Sequence, residues 1–188
     1  PPGPAGPWQA TVLGGVFGVA FWALELIWVP LVVGSRFSWA WPGYLGLVAV
    51  LGGLSALFGR WASEFGNPDG FLPGSDRPEK EGCRSKQIVG LALAWVAIEW
   101  IRGHAPFGLA WPWLGIGITL THRPELMGVA EWVGESGVAF WIALTNALMA
   151  AAVLEGRSRK AWRMWALGGL AILVPAAVGI ARAHGLKM

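Results

Sequence analysis

Apolar residues fall into five runs along the chain, at 11–33, 39–58, 88–103, 135–154 and 165–181. Each is close to the roughly 20 residues a helix needs to cross a bilayer. The pattern predicts an all-α, multi-pass transmembrane helix bundle of about five spanning helices. Prolines at positions 1, 2, 4 and 7 delay the first helix until about Trp8, because proline lacks an N–H donor and fixes φ. Pro30, near the end of the first run, predicts a kink, and Pro175 falls inside the last run. The glycines of 39–58 would break a helix in water, but in a membrane they let neighbouring helices approach closely.

Two polar stretches interrupt the runs. Residues 59–87 carry the turn signals Asn67-Pro68-Asp69-Gly70 and Pro73-Gly74 and the charged run Arg77 to Lys86, which read as a solvated loop. Residues 104–133 are rich in Gly, Pro and Trp in their first half, and Thr119 to Glu125 reads as a polar turn. This second stretch predicts a partly re-entrant or interfacial aromatic loop. Non-helical backbone at membrane depth persists only where protein or a wet cavity surrounds it.

Composition sharpens the class. Only 13% of residues are charged, about half the roughly 25% of soluble domains. Fourteen tryptophans suit a protein with two membrane–water interfaces. The net charge of +3 is too small and too dispersed for a nucleic-acid partner. The single cysteine, Cys83, excludes an internal disulfide. The chain begins at Pro1 without a signal-peptide charge pattern, and a piece of a longer protein is expected.

Basic residues set an expected orientation. Arg60, Arg77, Lys80, Arg84, Lys86, Arg157, Arg159, Lys160 and Arg163 share one side, against Arg36, Arg102, Arg123, Arg182 and Lys187 on the other. The positive-inside rule then makes 59–87 cytoplasmic and 104–133 outward-facing.

Candidate chemistry concentrates in Glu99–Gly115, EWIRGHAPFGLAWPWLG. Glu99 and Arg102 stand at i and i+3 and share a helix face. Unpaired in a bilayer each would cost roughly 3 kcal/mol or more, so they are expected to pair or to sit at the interface. Two readings of the pair stand: a lock between helices, or the frame of an outward cavity that holds the following loop. Phe107 to Trp113 reads either as an interfacial aromatic belt or as the wall of a lipid portal. Glu25 is an intramembrane acid, a functional candidate or a hydrogen-bonded structural one. Asn146 is placed to bond another helix. His104, His122 and His184 have no metal-ligand spacing, no phosphate-cradling loop or nucleophile elbow is present, and no cofactor is expected.

Three motifs resemble the membrane domain of the bacterial apolipoprotein N-acyltransferases. They are E-W-x-R-G at Glu99 to Gly103, G-L-A-W-x-x-L-G at Gly108 to Gly115, and the Gly137 to Phe140 run leading to Asn146. FGVAFWALELIWV in the first run is similar to that family's third spanning helix. Ala110 stands where a proline is expected, and Ile116 where an aromatic is. The resemblance implies a multi-pass protein of the bacterial cytoplasmic (inner) membrane. It implies an enzyme that moves an acyl chain from a phospholipid to the N-terminal cysteine amine of a diacylated lipoprotein.

In that family the chemistry belongs to a nitrilase-like domain with a Glu–Lys–Cys triad. No residue here matches the triad, and neither that domain nor the first two and last helices is in the chain. Cys83 is excluded by its position, and no catalytic residue is assigned. What this portion would supply is an anchor and a lipid portal built from Glu99, Arg102, Gly103, Phe107, Gly108, Trp111, Leu114 and Gly115. Its partners would be the phospholipid, the lipoprotein, the membrane and the missing domain. The alternative is a non-catalytic membrane scaffold for a separate enzyme, or a small transporter.

Overall fold

A computed structural model of the 188-residue chain describes residues 6–65, 81–104, 106, 110–123 and 127–185. The described residues are helical and contain no strand. The long helices are α1 (Pro7–Glu25), α3 (Ala40–Phe65), α4 (Glu81–His104), α5 (Ala130–Leu154) and α6 (Arg159–Gly185), with a short α2 (Trp28–Val33) between the first two. Two single 3₁₀ turns, Ile116–Leu120 and Met127–Val129, lie between α4 and α5.

Among the described residues, four stretches are long and apolar enough to cross a membrane: Pro7–Val33, Ala40–Glu64, Ala130–Leu154 and Arg159–Arg182. Helix α4 is long enough, about 36 Å at 1.5 Å per residue, but Glu99, Arg102 and His104 dilute its last turns.

Helices outlast the apolar runs. Helix α3 continues to Phe65, and α4 begins at Glu81, inside the stretch expected to be a loop, with Cys83 in its first turn. A helix leaving the apolar layer keeps its internal backbone bonds, so polarity alone does not end it. The same holds for α6, which starts at Arg159 with the Ser158 hydroxyl accepting from the Ala161 N–H at 3.1 Å.

Both interior prolines leave readable traces. Pro30 cannot donate to the Leu26 carbonyl, and the chain breaks there. Helix α1 ends at Glu25, and the Leu26 carbonyl accepts from the Val29 N–H instead. In α6, Pro175 orphans the Ala171 carbonyl, and the Trp141 Nε1–H of α5 donates to that oxygen. A neighbouring helix thus supplies the donor the proline lacks.

Each long helix packs antiparallel against the next. Tyr44 at the start of α3 donates to the Ala23 carbonyl at the end of α1, 2.7 Å away. Gly14 and Gly18 of α1 face Ser55, and Gly59 faces Ala10, so closely that a Cβ at any of the three would lie within 2.6 Å of a neighbouring atom. This contact of small residues replaces a hydrophobic drive that lipid does not provide. Phe58 of α3 meets Trp95 of α4 edge-to-face, with centroids 5.3 Å apart. At the far end of the series, Arg182 of α6 pairs with Glu131 of α5 at 2.6 Å and lies over the Trp132 ring. The ends of α1, α4 and α6 and the starts of α3 and α5 therefore share one end of the bundle. A buried cluster of Trp22, Leu26, Tyr44, Val48 and Leu51 fills the α1–α3 interface near that end.

Candidate functional site

Helix α4 ends where the aromatic loop begins, and its open carbonyls are a liability in an apolar setting. The returning loop answers part of this: the Trp111 N–H donates to the Arg102 carbonyl at 2.8 Å. The Arg102 side chain, 6% exposed, reaches the other way along the loop. Its Nη1 donates to the Trp113 carbonyl at 2.7 Å, and its guanidinium carbon lies 5.5 Å from the centre of the Trp22 ring. Glu99, 15% exposed, accepts from the Ile116 N–H at 2.7 Å through Oε1. The same oxygen lies 3.8 Å from Arg102 Nη2. That distance makes an ion pair but not a hydrogen bond. The pair expected at i and i+3 is formed, and each partner also grips a different part of one loop.

The loop between these grips is tightly constrained. Leu114 adopts φ +63°, a left-handed conformation that costs a non-glycine residue about 1–2 kcal/mol. Gly115 is buried. A Cβ there would lie 3.1 Å from Glu135 Oε1, 3.9 Å from Arg102 Nη2 and 4.0 Å from Glu99 Oε2. Three charged side chains from two helices thus converge on one glycine.

Glu135 was not singled out from the sequence, where it is only the first residue of an apolar run. Its position comes from Gly134, whose φ of 67° and ψ of −177° interrupt α5 and re-aim the chain. That region of conformational space is essentially reserved for glycine. A Gly-acid pair at the mouth of an apolar run was the available signal.

The remaining site residues separate. Trp111, expected at the wall, packs against the α1–α3 cluster, with its Nε1 buried and unpartnered among the described residues. Trp113 (66% exposed) and Leu114 face outward instead. Gly103 is half-buried with open space where a Cβ would go, so no close approach requires a glycine there. Phe107 and Gly108 lie outside the described residues. Glu25 is exposed at the end of α1 and has no hydrogen bond or ion pair among the described residues. Asn146 donates to its own helix, at the Ile142 carbonyl 2.9 Å away, rather than to another. It lines an apolar cavity of about 180 Å³ between α5 and α6, with Leu120, Trp141, Ile142, Thr145, Ile172 and Ala176.

The arrangement orients a loop and presents an aromatic and an aliphatic side chain at one end of the bundle. Within its geometry Glu99 and Arg102 are positioning residues. Residues 4–148, which contain the whole node of Trp22, Glu99, Arg102, Glu135 and the loop they hold, match the family described as the apolipoprotein N-acyltransferase N-terminal domain. The chain belongs to this family.

Three curated apolipoprotein N-acyltransferases give the scale of the likeness. The one from Rhodopseudomonas palustris is 29% identical over 184 residues, 95% of this chain and 31% of its own length. That from Geobacter metallireducens is 27% identical over 143 residues, 76% of this chain and 25% of its own. That from Methylococcus capsulatus is 29% identical over 174 residues, 90% of this chain and 31% of its own. The chain therefore spans about a third or less of the relatives' length. No solved structure matches it. Its helices and its place in this family make it a membrane protein.

Proposed function

We propose that this chain is the membrane portion of an inner-membrane enzyme that transfers an acyl chain from a phospholipid to the N-terminal cysteine amine of a diacylated lipoprotein. In this reading it anchors the catalytic domain and forms the lateral lipid portal, with Trp113 and Leu114 as the surface that meets acyl chains. One observation carries the portal role: half-buried Glu99 and buried Arg102 hold the aromatic loop by its backbone at Ile116 and Trp113, which leaves the Trp113 and Leu114 side chains outward. A loop held this way presents a flat ring and a branched aliphatic chain at fixed positions, as a lipid-guiding edge requires.

The test is a chimera in which this chain replaces the matching region of the Rhodopseudomonas palustris relative. Transfer to a diacylated lipopeptide is followed by mass spectrometry. The chimera is expected to be active, and Trp113→Ala within it to lower turnover about tenfold, or ~1.4 kcal/mol in barrier, at unchanged abundance. Unchanged turnover would remove the portal role from Trp113. A correctly inserted but inactive chimera would put the scaffold reading ahead.

A further inference from the structure

The end of the bundle opposite the node carries a different chemistry. Beyond the Gly134 break, α5 continues from Glu135 to Leu154, about 30 Å at 1.5 Å per residue. The chain then reverses through Glu155–Ser158, where Gly156 takes φ +66°. Arg157, Arg159 and Arg163 follow within seven positions, all exposed, and none of the three forms an ion pair among the described residues. Glu155 and Lys160 already have partners, and at the end of α3, on this same side of the bundle, Arg60 and Glu64 satisfy each other at 2.7 Å. Among the described residues the turn is therefore a surface of uncompensated positive charge. Trp162 stands in its midst, 73% exposed, and Trp165 is exposed one turn further on.

We propose that this turn is a binding surface for anionic phospholipid headgroups in the leaflet opposite the aromatic loop. The three arginines would engage headgroup phosphates, and Trp162 and Trp165 would seat at the headgroup level. Charge complementarity argues for this occupant: clustered basic residues beside a spanning helix are drawn to anionic lipid, and exposed tryptophans settle in the interfacial layer. Arginine's planar fork matches phosphate oxygens two at a time. Nothing in the inference depends on acyl transfer, because the patch and the node lie at opposite ends of α5.

The experiment compares the intact chain in nanodiscs of phosphatidylcholine alone and of phosphatidylcholine mixed with phosphatidylglycerol. Lipids retained on the protein are counted by native mass spectrometry, and thermal unfolding is followed in parallel. Phosphatidylglycerol is expected to be enriched on the wild-type chain and to raise its melting temperature, both effects shrinking as salt screens the charges. The triple variant Arg157→Gln, Arg159→Gln, Arg163→Gln should lose the preference, by about fivefold for each arginine removed. Arg36→Gln, exposed at the other end, should keep it.

Equal retention of both lipids by the wild-type chain, or an unchanged preference in the triple variant, overturns the proposal and leaves these charges as determinants of orientation only. Should the triple variant fail to fold, the wild-type chain decides. A preference abolished by salt supports the site, and one indifferent to salt refutes it.

Discussion

Arg102 shows how one side chain can matter in two currencies. It is buried, it neutralises Glu99, and it fixes the Trp113 carbonyl. Replacing it with glutamine leaves a nearly buried carboxylate without its cation, a change that costs on the order of 3 kcal/mol. Arg102→Gln is therefore expected to lower stability by about that amount, read from denaturant titration in detergent, with Arg102→Lys recovering only part because an ammonium lacks the guanidinium's span. The pairing was legible in the sequence because an acid and a base three residues apart in an apolar helix have few other options. The placement of Trp111 was not. A tryptophan in a Gly/Pro-broken segment suits an interface or a core equally, and only the packing of α1 on α3 decides that Trp111 turns inward while Trp113 turns out.

At the level of elements, apolar run length found the spanning runs, and Pro30 announced the break between α1 and α2. What the sequence withheld was where each broken bond would be mended. Trp141 and Pro175 lie on different helices, and no local rule links an indole to a carbonyl freed on another helix. A double-mutant cycle tests the link. Trp141→Phe should cost about 1 kcal/mol in the native background, measured by thermal or denaturant unfolding. In the Pro175→Ala background the cost should be smaller, because position 175 then supplies its own N–H. Equal costs in both backgrounds would show that the indole does not compensate the proline. Helix ends were also hard to read, since α3, α4 and α6 run on into polar sequence without a stop signal strong enough to end them.

For the whole molecule, antiparallel neighbours place the turn at 155–158 and the turn at 34–36 at opposite ends of the bundle. Cysteines introduced at Ser158 and Ser35, in a Cys83→Ser background, should react with a membrane-impermeant maleimide from opposite faces of sealed vesicles. The excess of basic residues predicts that position 158 is the cytoplasmic one. Labelling of both from one face would contradict the alternation of the helices.

The serial packing of the helices also has a consequence for how the protein is made. Contacts between successive helices are local in sequence, and local contacts form early as a chain emerges from synthesis. The α1–α3 hairpin can close before α4 has left the ribosome. The aromatic loop is different: Arg102 and Trp111 reach back across α3 to Trp22 and its neighbours, and Gly115 waits for Glu135, which arrives with α5. The loop is thus the joint that seats last, and a chain stalled or cut before α5 would have its hairpins in place and its aromatic loop unlatched.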